Sequence, residues 1–218
     1  MKPIRVLLVD DHALIRDGLR SALAQESGFT VVGEAADGFM AVKMVKALSP
    51  DVVLMDITMP RMNGLQATRE ICGPDAAVRT KVIILTLYDQ DEHVFEALRA
   101  GASGFLLKDC LPAQLAEAIR AATSGDSMLS PSVTRRLISE FIRRPVLASV
   151  AESGLMTLTP RELDVFRLLV RGLSNEEIAS TLMLGESTIK SHVKHVYQKL
   201  CVRDRAQVVI YAYENGLV

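Results

Sequence analysis

The first hundred or so residues repeat one pattern five times: a short apolar run, then a stretch with helical spacing. The runs fall at residues 4–9, 29–35, 52–55, 81–85 and 104–107. The helical stretches follow at residues 13–25, 40–48, 65–72, 92–100 and 112–123, the last opening on Pro112. Strands buried on both faces of a parallel sheet read as unbroken apolar runs, and an amphipathic helix repeats its apolar side chains every three to four residues. The alternation therefore restricts this half of the chain to a (βα)5 α/β fold, a doubly wound parallel sheet with short right-handed crossovers. The third run, Val52-Val53-Leu54-Met55, leads straight into Asp56, after which Pro60, Asn63 and Gly64 supply turn chemistry. Open α/β sheets bind ligands beyond the carboxyl ends of their strands. Asp56 is placed at that edge.

Parallel strands share a direction, so every strand end lies on the same edge. Strand one ends in Asp10-Asp11, strand three in Asp56, strand four in Thr86 and strand five in Lys108. Taken singly, each has an ordinary explanation as a turn residue, a strand filler or a solvated cation. Together they put three carboxylates in one place, where each pair roughly 4 Å apart repels by about 4 kcal/mol at an effective dielectric near 20. A divalent cation and the Lys108 ammonium offset that repulsion, and an all-oxygen site with water suits Mg²⁺. An aspartate nucleophile, a hydroxyl donor and a lysine point charge are the parts that phosphoryl capture needs.

Asp10-Asp11, Asp56, Thr86 and Lys108, with Pro60, Gly64 and the run Gly104-Phe105-Leu106-Leu107-Lys108-Asp109, resemble the signature of a two-component receiver domain over residues 1–124. The resemblance implies that Asp56 accepts a phosphoryl group from a sensor histidine kinase. It implies a Mg²⁺ site made by Asp11, Asp56 and the backbone carbonyl of Thr58, with help from Asp10. Thr86 and Phe105 would form the switch pair. Phe105 stands where the family often has Tyr, so any motion there would rest on packing alone. Thr58 and Tyr88 would flank the phosphoryl group and set its lifetime.

The net charge of −1 over 218 residues names no partner. By segment it is −3 over residues 1–124 and +1 over each of 125–155 and 156–218. Cys72, Cys110 and Cys201 form no CxxC pair and read as reduced thiols. The apolar run near the amino terminus is too short for a signal peptide, and no segment approaches the roughly 20 apolar residues of a membrane span. A cytoplasmic protein with no membrane association is expected. Residues 125–155 read as a linker with a short helix over 133–143, whose Arg135, Arg136, Arg143 and Arg144 form a solvated face.

Residues 156–218 carry four helical stretches. Thr159-Pro160-Arg161-Glu162 is a start signal, with Thr as cap, Pro at the first position and Glu three residues on. Gly172 ends that helix, Ser174 opens a short second one, and Gly185 marks the turn. Ser187 is expected to cap the third helix, with Ile189, Val193, Val196 and Leu200 inward, and Asp204 the fourth. A short helix, a tight turn and a basic-faced helix make a helix-turn-helix, whose second member enters the major groove. His192 and His195 are spaced for a shared metal, but no Cys or carboxylate cluster adjoins them, and a metal is not expected there.

Leu158-Thr159-Pro160-Arg161-Glu162, Gly172-Leu173-Ser174-Asn175-Glu176-Glu177-Ile178-Ala179 and Ser187-Thr188-Ile189-Lys190-Ser191-His192-Val193-Lys194 resemble the LuxR-type DNA-binding domain of NarL/FixJ response regulators. The resemblance implies that Lys190, Ser191 and Lys194 face base edges while Thr188, His195 and Lys199 hold phosphates. It also implies a homodimer on double-stranded DNA. A phosphorylation-controlled transcription factor is thus expected, not an enzyme with its own substrate. Two other functions find less support in these residues. An aspartyl-phosphate hydrolase typically carries a second Asp two residues after the nucleophile, where this chain has Thr58. A protein-binding module would lack the strong salt dependence that phosphate contacts impose on DNA binding.

Overall fold

The computed structural model describes residues 2–73, 80–86, 91–124, 128–129, 155 and 157–217. The chain divides into two compact units, Met1–Ile138 and Ser139–Val218. In the first, β1 (Ile4–Val9), α1 (Ala13–Ala24), β2 (Phe29–Ala35), α2 (Gly38–Leu48), β3 (Val52–Asp56) and α3 (Gly64–Cys72) alternate as the sequence pattern requires. They are followed by β4 (Lys81–Thr86), α4 (Asp91–Arg99), β5 (Gly104–Leu107), α5 (Pro112–Ser124) and β6 (Met128–Leu129).

The sheet order is β2-β1-β3-β4-β5-β6, with every neighbouring pair parallel. Val9 lies across from Met55, Asp56 from Leu85, and Thr86 from Leu107, so the four strands that carry the candidate residues end along one edge. Chain order reverses at the β1/β3 pair, which opens a crevice at that edge.

One face of the sheet packs Val6, Leu8, Leu54, Ile83 and Leu85 against Leu115 and Ile119 of α5 and Leu23 of α1. The alternate residues Leu7, Val53, Met55 and Ile84 point the other way and are equally buried. Burial on both faces is why the strands read as unbroken apolar runs. The sheet differs from expectation in its sixth strand. Met128 and Leu129 pair with Gly104 and Phe105, inside the stretch assigned to the linker. Two residues carry no periodicity, and the Ser130-Pro131 turn signal beside them masked the strand. The expected linker helix and its four arginines lie outside the described residues, as does Tyr88.

The second unit holds α6 (Pro160–Val170), α7 (Asn175–Leu182), α8 (Glu186–Lys199) and α9 (Arg205–Glu214). Capping boxes start two of them: Thr159 with Glu162 on α6, and Ser174 with Glu177 on α7. Gly172, at φ +85, ends α6 in the left-handed region that glycine enters without strain. Asp204 accepts from the Gln207 N–H at 3.2 Å and caps α9 as expected. Two details of the turn before α8 differ from expectation. Gly185, not Ser187, is the N-cap, and the left-handed residue is Met183, at φ 54 and 93% exposed. Phe166, Leu169, Ile178, Ile189, Val193, Val196 and Val208 close one core among the four helices.

Gly64 fixes how the chain leaves β3. Its N–H donates to the Ile57 carbonyl at 2.9 Å, and a Cβ built on it would lie 1.9 Å from the Asp56 carbonyl oxygen. Backbone cannot yield to that overlap cheaply. We expect Gly64→Ala to cost about 1–3 kcal/mol or more by the strain of overpacking, read as a lower urea midpoint; an unchanged midpoint would show that the close approach is not needed.

Candidate functional site

Lys108 follows β5 directly, and its backbone N–H donates to the Thr86 carbonyl at 2.8 Å. That bond holds the Lys108 backbone beside the end of β4. The ammonium reaches Asp10 Oδ2 at 2.6 Å and Asp56 Oδ1 at 2.9 Å, with all three side chains almost wholly buried. One cation thus spans carboxylates from β1 and β3, the pair at which chain order reverses. Burial pushes the Asp56 carboxyl above the ordinary aspartate value, and the Asp10 charge adds to that, while Lys108 pulls against both. Burial opposes the charged form of Lys108 as well, but hydrogen bonds to Asp10 and Asp56 outweigh it and raise its pKa.

Asp11 is the most open of the acids, 31% exposed, with Oδ1 2.7 Å from His12 Nδ1. Asp10 also accepts the His12 backbone N–H at 2.9 Å, and its own carbonyl accepts from Arg16 Nη1 at 2.7 Å. A metal-compatible group of Asp10, Asp11 and His12 results. The sequence reading placed the two aspartates and missed His12, which no spacing rule marks. Thr58 is exposed beyond β3, and Thr86 is buried at the end of β4. Phe105 is fully buried. The structure therefore brings Asp10, Asp56 and Lys108 into contact and sets Asp11, Thr58 and Thr86 at strand ends along the same edge.

The loop after Asp56 is tied to the neighbouring crossover. The Gly38 N–H donates to the Met62 carbonyl at 3.0 Å, and Arg61 pairs with Asp37. Asp37 caps α2 by accepting from the Met40 N–H at 2.8 Å. That hydrogen bond, with Arg61 beside it, holds the Asp37 carboxyl below its usual range. An Asp before a helical stretch is a readable cap signal; its pairing with Arg61 depends on the tertiary fold.

In the second unit α8 buries Ile189, Val193 and Val196, and Thr188, Lys190, Ser191, Lys194, His195 and Lys199 are all exposed. At 100° per residue, Ser191 and Lys194 lie opposite the buried stripe, while Lys190 and Lys199 flank it on opposite sides. Two of the cations have intramolecular partners. Lys190 Nζ lies 2.7 Å from Glu186 Oε1, a solvent-facing pair one turn away. Lys199 Nζ lies 2.7 Å from Glu162 Oε2, and Glu162 is 5% exposed. Lys199 thereby ties the end of α8 to the start of α6. The hydrogen bond from Lys199, helped by Thr159 and opposed by burial, holds the Glu162 carboxyl at about 2. Arg205 turns inward to the Leu173 carbonyl and to Asn175 Oδ1.

Family models match both units: the response regulator receiver domain over residues 6–120, and the luxR family of bacterial regulatory proteins over residues 156–212. The chain is 43% identical over 215 residues to the uncharacterized transcriptional regulatory protein YxjL of Bacillus subtilis (strain 168), covering 99% of this chain and 97% of that one. Among solved structures it resembles the response regulator ChrA of a heme-sensing two-component system, at 36% identity and TM-score 0.54 with both chains fully covered. It also resembles the response regulator RcsB in complex with DNA, at 26% identity and TM-score 0.58, covering 98% of this chain and 99% of that one.

The Glu162 carboxyl gives a pH prediction. Its folded value lies below the ordinary 4.5, so its stabilising effect is complete above that pH and is lost as pH falls toward about 2. Glu162→Gln should be less stable than the parent at neutral pH, with the two converging in acid. Circular-dichroism melts of both chains across that range check it, and a difference independent of pH would contradict the ion-pair account.

Proposed function

The chain belongs to the two-component response regulators that join a receiver domain to a LuxR-type DNA-binding domain, and on that premise we propose that Asp56 is its phosphoacceptor and α8 its DNA-reading helix. The observation that carries the receiver reading is the Lys108 ammonium spanning buried Asp10 and Asp56 at the β1/β3 crevice. Burial disfavours an anionic Asp56, and Lys108 supplies the fixed positive charge that makes an ionised nucleophile tenable. With Oδ1 held by Lys108, Oδ2 attacks the phosphorus of a kinase phosphohistidine. A P–O bond forms, the donor P–N bond breaks, and the departing imidazole takes up a proton from solvent.

Asp10, Asp11, Asp56 and the Thr58 carbonyl would hold Mg²⁺, a fit supported by an acidic cluster at the strand ends. Bound there, the ion supplies neutralisation of charge on the phosphoryl oxygens as they approach. The acceptor then carries roughly −1.5 to −2 charges. Lys108 pairs with the new oxygens and the Thr86 hydroxyl donates to them. Phe105, which has no hydroxyl, repacks with Thr86, and the surface over residues 92–111 changes. Release of the DNA-binding domain or homodimerisation follows.

Lys190, Ser191 and Lys194 are exposed on α8, which supports base reading by the first turns of that helix. Thr188 and His195 would contact phosphates. Lys199 would reach a phosphate from the flank while it braces α6 through Glu162. Two copies on DNA would read half-sites one helical turn, or a multiple, apart. A dedicated hydrolase remains disfavoured by Thr58. No disulfide joins the three cysteines, and no described helix is long and apolar enough to cross a membrane. Both fit work in the cytoplasm, where a kinase and the chromosome are reached together.

Two measurements test the pair of assignments. Intact-mass analysis with a small acyl-phosphate donor and Mg²⁺ should show one added phosphoryl group, absent from Asp56→Asn; an equal gain in the variant would sink the acceptor assignment. Lys194→Ala should weaken binding to operator DNA by about 1–3 kcal/mol if it contacts a base, with the salt slope little changed. Wild-type affinity would remove α8 as the reading helix.

A further inference from the structure

Neither proposed activity accounts for the inner face of His192. Its ring is partly buried, and its Nδ1 is enclosed with no hydrogen-bond partner among the described residues. A buried ring nitrogen without a partner is unusual enough to need an explanation. Three residues on, His195 stands on the same side of α8, with Nδ1 3.7 Å from Glu162 Oε1. One ligating atom from each of Glu162, His192 and His195 falls within 4.8 Å of the others. Lys199 engages Oε2 of the carboxylate, so Oε1 is the oxygen turned toward the imidazoles. Sequence spacing set a metal aside because no carboxylate adjoined the histidine pair. The fold supplies one from thirty residues earlier, at the start of α6.

The geometry points to a transition-metal site, of the zinc class, formed by Glu162, His192 and His195. Two imidazole nitrogens and one carboxylate oxygen are a three-ligand set that water completes to a tetrahedron. Imidazole donors select zinc, copper, nickel or cobalt over Mg²⁺, so the site is chemically distinct from the carboxylates of the first unit. An ion there bridges α6 to the middle of α8 and takes up His195. Metal and DNA phosphate then share one side chain, so occupancy of the site is coupled to the DNA-binding surface.

Cobalt(II) is the probe, because tetrahedral nitrogen-oxygen sites give it much stronger visible bands than octahedral oxygen sites. The full chain is titrated with Co²⁺ in excess Mg²⁺, which occupies the receiver carboxylates. We expect tetrahedral bands that saturate near one equivalent and disappear on addition of Zn²⁺. His195→Ala changes an exposed side chain and should weaken Co²⁺ binding at least tenfold with its melting curve unchanged. His192→Ala should do the same, its fold checked by circular dichroism. Absence of such bands in the wild type, or bands that persist at the same Co²⁺ concentration in His195→Ala, would overturn the assignment.

Discussion

A single ammonium group holds two buried carboxylates at the edge of the sheet, and the rest of the first unit is arranged to deliver it. Removing charges from water costs several kcal/mol each unless they are paired and hydrogen-bonded. Lys108 meets that condition at 2.6 Å from Asp10 and 2.9 Å from Asp56. The geometry requires β1 and β3 to be neighbours, β5 to run in the same direction, and Lys108 to follow β5 at once. It also requires the chain to leave Asp56 by a path that only glycine permits at position 64. Local chemistry and sheet topology are therefore one constraint. The proposed phosphoryl group on Asp56 would change the charge that Lys108 must balance, and buried ion pairs respond strongly to such a change because solvent screens them little.

The second unit uses buried charge differently. Glu162 belongs to a capping box, accepts the Lys199 ammonium and approaches His195, so one carboxylate organises the start of α6 and the exposed side of α8. Apolar packing of Ile189, Val193 and Val196, and Lys199 at its far end, hold α8 at the fixed angle that a helix proposed to read DNA would need. The same lysine is the one expected to serve DNA phosphates. Its side chain keeps 34% of its surface exposed while Nζ is held 2.7 Å from Glu162.

Much of this was legible in the residues because the responsible signals are local. Apolar runs gave β1 to β5, and strand direction alone collected Asp10, Asp56 and Lys108 at one edge. The Thr159 and Ser174 boxes announced their helices. What escaped was short or tertiary. A two-residue strand has no period, and the left-handed residue before α8 is Met183, although Gly185 was the evident turn signal. Arg61 on Asp37 and Glu162 beside His195 are pairings between distant segments, which one-dimensional spacing cannot encode, and His12 beside Asp11 is a local pair that no spacing rule marks.

Charge placed on Asp56 is proposed to govern what α8 does on DNA. The most direct test is the operator affinity of one preparation, before and after exposure to an acyl-phosphate donor with Mg²⁺ at fixed ionic strength. Fluorescence anisotropy reads the affinity, and intact mass verifies that Asp56 is modified. The account predicts tighter binding by tenfold or so, about 1.4 kcal/mol, and no change in Asp56→Asn. Fully phosphorylated protein binding the operator no better than unmodified protein would contradict it.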